Sequence, residues 1–422
     1  MSAAQGEPVT PHAGEGAHGS PFAGVGPTAA FALTAIVASI VWRLAGSVLP
    51  GGRWPAVHLF TLGALTPLIA MFMTRFASAL LHARPGGGDP SQIRAVLLAA
   101  GATLVVAGRL TFSTPLLTAG ASLLAIAVGW LYVGLRTLRR GALPARFGFI
   151  VRSYERACGA FLHGALLGAL VGAGVFRGAW YASARAAHLQ LMLLGWAGIT
   201  LLATIVMFGP AAMRVRIAGD TEAVAARWLP RAAVATTVAA LALLAMGAGG
   251  SAANAGRVVA AIALSVYAWT VVRICAGILR TARRAAASAA RSFVSGACGW
   301  FVLASSLNAA SAAFAKPQWM DAAVVALLAG VFLQAILASL THVIPLLVGR
   351  DARQRGTMSS ILSMLGRTRA AALSAGTALA VAGTGWDPSG PLPRTGWALA
   401  AAAIAVTITL GAIARWTSRV GR

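Results

Sequence analysis

Apolar runs of about 20 residues recur along the whole of this chain, each long enough to cross a bilayer as a helix. The runs are continuous, whereas membrane strands would alternate apolar and polar positions. They predict an all-α polytopic membrane protein with spans at about 28–49, 54–81, 94–112, 115–137, 148–176, 184–211, 231–249, 256–279, 292–314, 321–348, 369–384 and 394–415. The eleventh is short, and the third and fourth are divided mainly by Arg109 and Pro115, so the range is ten to twelve. Residues 1–27 are rich in Gly, Pro, Ala, Ser and Thr and lack Lys and Arg. They predict a disordered cytoplasmic tail ahead of a transmembrane helical domain over 28–418.

The polar positions between the runs set the orientation. Loops after even-numbered spans hold most of the arginine: Arg84 and Arg94; Arg139, Arg140 and Arg146; Arg214, Arg216, Arg227 and Arg231; Arg280, Arg283, Arg284 and Arg291; Arg350, Arg353, Arg355 and Arg367. Loops after odd-numbered spans hold one or two cations each: Arg53, Arg109, Arg177 with Arg185, Arg257, Lys316 and Arg394. Cationic loops stay on the cytoplasmic side, so both termini are expected there.

Composition agrees. The chain is 58% hydrophobic and 10% charged, against about 25% charge in soluble domains. Its net charge of +25 sits in the loops, and no clustered basic face of the kind nucleic acid needs is visible. Cys158, Cys275 and Cys298 are isolated in sequence and lack the spacing of a disulfide framework or zinc site, which predicts small core residues.

Against this apolar background the histidines stand out. His58 and His188 each open a long apolar helix, are followed by a Leu-Gly step, and fall in the second and sixth spans. A spacing of four helices predicts pseudo-repeated four-helix units, with two imidazoles at similar depth in the outer half of the bilayer. Span ten repeats the Gly-to-Pro interval of span six, Gly330 to Pro345 against Gly195 to Pro210. A neutral imidazole is a common ligand of haem iron and copper. The competing reading of each is an interfacial histidine bonded to headgroups, water or a carbonyl. His163 falls mid-span, where a buried hydrogen bond to a neighbouring helix is expected ahead of ligation. Gln190, Gln334, Asn308 and Thr66 are expected to bond between helices, and Glu155 to pair with another helix. No carboxylate lies deep in a span, which argues against proton pumping.

Three stretches carry a resemblance: Arg53-Trp-Pro-Ala-Val-His58, His188-Leu-Gln-Leu-Met-Leu-Leu-Gly195-Trp196-Ala-Gly-Ile-Thr200, and Thr341-His342-Val-Ile-Pro345-Leu-Leu-Val-Gly349. In layout and in these helices the chain resembles the haem–copper oxidase subunit I superfamily. It is most similar there to NnrS-type membrane proteins and to the membrane region associated with copper nitrite reductase-like oxidases. The first stretch resembles a low-spin haem ligand segment and the second an active-site copper helix. The resemblance implies haem b or copper at His58 and His188, with Arg53 and Arg185 available to haem propionates. It also implies a role in respiratory or nitrogen-oxide electron transfer or copper handling, and a copper-containing oxidase or nitrite reductase as partner. The departures are as specific. Span ten opens Asp321-Ala-Ala-Val-Val where an oxidase carries paired histidines, and span seven reads Leu229-Pro-Arg-Ala-Ala-Val without the adjacent pair. A degenerate member without complete oxidase activity is therefore expected. The rival readings are a secondary transporter, for which the core lacks coupling carboxylates, and a metal-free scaffold subunit.

Overall fold

The computed structural model describes residues 25–46, 48–83, 91–143, 145–386 and 390–420. The segment read as a tail lies outside these except for its last three residues, which already belong to the first helix. The described chain is helical, with no strand among the described residues. In order come α1 (Val25–Leu44), α2 (Arg53–Leu81), α3 (Ser91–Leu110), α4 (Thr114–Gly141), α5 (Gly148–Gly172), α6 (Gly178–Ala212) and α7 (Thr221–Ala245). They are followed by α8 (Gly250–Arg283), α9 (Ala289–Ala313), α10 (Pro317–Leu346), α11 (Ala352–Ser363), α12 (Gly366–Trp386) and α13 (Pro391–Val420). Ten of these are long and apolar enough to cross a membrane. The two other long helices, α5 and α12, carry Arg152, Glu155 and Arg156, and Arg367 and Arg369.

The element breaks follow local chemistry. The Ser113 side chain caps α4 at the Leu116 amide, and Pro115 occupies a first-turn position that needs no donor. This is the break that the sequence placed between Arg109 and Pro115. The hairpin from α7 to α8 turns through Gly249 and Gly250, at φ of 74° and 55°, values a side chain would resist. Helix α11 was not expected. Asp351 caps it at Gln354, and Met358 and Leu362 bury against Ala414 of α13.

Burial separates the helices into a centre and a surround. In the apolar windows of α6 and α10, 78% of residues are buried, and 56% in α2, against 22–39% in α1, α3, α4, α7 and α13. Helices that are apolar all round belong inside. The three central helices share a second property: each contains a π-helical segment, Leu59–Leu65, Gln190–Gly198 and Ala326–Leu333. Their later turns also meet. Phe76 of α2 lies 5.9 Å from Phe208 of α6, and Phe208 lies 5.6 Å from His342 of α10, centroid to centroid. The three helices therefore run side by side in one direction.

Polar side chains within the bundle pair between helices. Gln190 of α6 and Asn308 of α9 exchange two hydrogen bonds, of 3.1 and 2.8 Å. Trp196 donates its indole N–H to Thr66 across α6 and α2, and Gln334 donates to Ser374 of α12. Glu155 accepts two hydrogen bonds from Arg139 of α4, as its expected pairing with another helix required. The three cysteines are buried; Cys275 and Cys298, distant in sequence, meet through a side-chain hydrogen bond.

Candidate functional site

Between the first turns of the central helices lies a cavity of about 490 Å³. Its deep wall is apolar, with Leu62, Leu65, Leu193, Trp196, Leu328 and Ile404. All three π segments contribute to it. At its mouth stand Arg43, Arg53, Arg109 and Arg185, with Asp321 of α10. Arg185 and Asp321 form an ion pair at 3.5 Å.

His58 and His188, from α2 and α6, both line this cavity. Their ring centroids are 6.5 Å apart and their planes within 7° of parallel. The His58 Nδ1 lies 3.0 Å from the Trp54 carbonyl, one turn back along α2. The His188 Nδ1 lies 2.8 Å from the Gly164 carbonyl of α5. A carbonyl can only accept, so each Nδ1 is the protonated nitrogen and each Nε2 keeps its lone pair. Neither Nε2 has a hydrogen-bond partner among the described residues. Both imidazoles thus carry the tautomer of a metal ligand, fixed by a second bond to the backbone. The competing reading, an interfacial histidine bonded to a carbonyl, accounts for the same two bonds, to Trp54 and to Gly164.

The surroundings hold the rings in place. The Trp54 indole stacks on His58, centroids 3.8 Å apart and planes 16° apart. Opposite His188, α5 presents Gly168, where a Cβ would lie 2.6 Å from the imidazole Cε1 and 2.7 Å from Nδ1. Gly164 and Gly172, one turn either side, have neighbours equally close, Met192 Sδ at 2.7 Å and Leu117 Cδ1 at 2.8 Å. This stripe of small residues lets α5 approach closely enough for Gly164 to accept from His188. At the mouth, Trp397 of α13 has a buried indole N–H without a partner among the described residues. The Arg43 guanidinium lies 5.5 Å from the centre of its ring.

All four residues singled out from the sequence, His58, His188, Arg53 and Arg185, line this one cavity. His163 does not. It is exposed on α5, and its Nδ1 bonds the Gly159 carbonyl of its own helix at 2.8 Å. The expected buried bond to a neighbouring helix is corrected: a carbonyl four residues back is within reach on any helix, so no neighbour is needed. Sequence reading missed Arg43, Arg109, Trp54, Trp397 and Gly168. For Gly168 a signal existed, the four-residue spacing of Gly164, Gly168 and Gly172.

No group of three or more His, Cys, Asp or Glu side chains placed to hold a metal occurs among the described residues, so a metal here would rest on the two imidazoles. Apolar walls, two free imidazole nitrogens and a cationic rim suit a flat, apolar, dianionic metal chelate. No protein-family model matches this chain, and no curated protein matches it.

Proposed function

We propose that this is a membrane-embedded b-type haem protein that carries electrons, and that His58 and His188 are the residues that would hold the haem. One observation carries the reading, the spacing and tautomers of the histidine pair. The two rings are neighbours in one cavity and each keeps a free Nε2 lone pair, so one bound group could engage both. The pair here stands at 6.5 Å with near-parallel planes. Both free nitrogens are Nε2, one of the two positions through which a neutral imidazole ligates.

The rest of the cavity supports the same group. Its volume accommodates a macrocycle, whereas a single copper ion held between the imidazoles would leave most of it unused. Arg43, Arg53, Arg109, Arg185 and the Trp397 N–H supply donors for two carboxylates at the mouth. A haem held by two protein nitrogens supplies reversible one-electron chemistry without an open coordination position. The protein's part is to fix both imidazoles by backbone bonds, exclude water with the apolar walls and neutralise the carboxylates at the rim.

The fold reading extends accordingly. Helices α4 and α6 both begin at the cavity mouth, so a returning helix must lie between them, and α5 fills that place. Counting α5 and α12 gives twelve spans in three units of four, the layout of the haem–copper oxidase subunit I superfamily. Each unit would place its second helix at the centre with a π segment. The ligands then come from spans two and six, and span ten contributes Val324 and Val325 instead. By the arginine bias the mouth faces outward from a bacterial inner membrane, and both termini are cytoplasmic.

The test is a dithionite-minus-air difference spectrum of purified protein, with metal analysis, beside His58→Ala and His188→Ala. A single b-type band lost in both variants is expected. A featureless spectrum with no metal overturns the reading; stoichiometric copper without a haem band replaces haem by copper at the same two ligands.

A further inference from the structure

The mouth of the cavity carries more positive charge than a haem can neutralise. Arg43, Arg53, Arg109 and Arg185 line it, and Arg394 at the start of α13 lies within electrostatic reach of Arg43. Asp321, already paired with Arg185, is the one carboxylate among the cavity-lining residues. Two haem carboxylates and Asp321 would offset three of these five arginines, which leaves two in excess among the described residues. Arg53, Arg109 and Arg394 are exposed. Trp54, half-buried at the same end, overlies the ring of His58 and also accepts its Nδ1–H. The residue stacked on His58 therefore shares the cavity lining with Arg43, Arg53, Arg109 and Arg185.

We infer that this mouth is the docking face of a soluble one-electron carrier protein with an acidic surface. The inference rests on the haem reading. A haem held by His58 and His188 would take up the one electron that the docked, reduced carrier loses, with no proton or leaving group involved. Opposite charge raises the encounter rate and orients the partner, and salt screens both effects. Anionic lipid headgroups are the rival occupants. They are disfavoured because four of these arginines line a cavity between helices.

The experiment uses the whole protein in nanodiscs of neutral lipid, reduced and then mixed with two small oxidants of opposite charge. Ferricyanide and tris(phenanthroline)cobalt(III) each remove one electron from the haem. Ferricyanide is expected to react faster than its driving force alone predicts and to slow as salt rises; the cobalt complex should speed up with salt. Arg394→Glu, at a residue outside the haem-binding set, should leave the spectrum intact and cut the ferricyanide rate about threefold at low salt. Haem-replete protein indifferent to oxidant charge overturns the docking face alone. A salt effect abolished by anionic lipid assigns the mouth to headgroups and also overturns it. The absence of any haem band removes the reading beneath it.

Discussion

Gly168 of α5 gives His188 of α6 the space its imidazole occupies. A methyl group at 168 would lie 2.6 Å from Cε1, well inside van der Waals contact. The ring cannot retreat freely, because its Nδ1 is anchored to the Gly164 carbonyl one turn away. Gly168→Ala should therefore displace His188 and, on the haem reading, remove it as a ligand. The expected outcome is a change from a six-coordinate low-spin spectrum to a five-coordinate high-spin one with protein yield retained. An unchanged low-spin spectrum in the variant would show that His188 is not a ligand.

Ligation by both histidines predicts a particular rescue. Replacing His188 with Gly leaves a gap the size of an imidazole beside Gly168. Millimolar free imidazole should restore the wild-type absorption in His188→Gly and in His58→Gly. Titration followed at the Soret band measures this, and failure in both variants would argue that the rings act only in packing.

The Gln190–Asn308 pair is buried, and each amide donates one hydrogen bond to the other and accepts one from it. Asn308→Leu leaves Gln190 with an unpaired donor and acceptor, which should cost about 1–2 kcal/mol. The double variant Gln190→Leu with Asn308→Leu should cost less than Asn308→Leu alone, because no polar group is stranded. Denaturant unfolding of the purified protein checks the order of the three.

At the other end of the bundle, the Arg139–Glu155 pair joins α4 to α5 with two hydrogen bonds between partly exposed side chains. Glu155→Gln removes the charge and keeps the shape. After allowance for solvent screening the loss should be about 1 kcal/mol. The cavity lies at the opposite end of these helices, so the haem spectrum should not change. A spectral change would reveal coupling along α5 that the contacts do not provide.

Much of this arrangement was legible in the chain. Continuous apolar runs gave the helices, and Pro115 and Ser113 mark the break between α3 and α4. The depth of His58 and His188 followed from their place at the start of two spans. Their separation did not: distance between helices depends on which faces meet, and that rests on Gly164, Gly168 and Gly172 of a third helix. The resemblance assigned the two histidines to different metal centres, whereas the structure lines one cavity with both. Arg109 read as a loop charge because it lies near the end of a span; only the packed bundle shows it lining the cavity. The amphipathic α11 was hidden by its arginines, which resemble any cytoplasmic loop.

The three π segments divide each central helix into two halves. A π turn holds an extra residue relative to an α turn, and one residue corresponds to about 100° of rotation. The half bearing the histidines is thus rotationally phased independently of the half that carries Phe76, Phe208 and His342. Deleting one residue from such a segment would swing the imidazole off the cavity while the opposite half kept its packing. The insertions act as couplings that let a ligand-bearing rim and a structural base evolve as separate modules on one continuous rod.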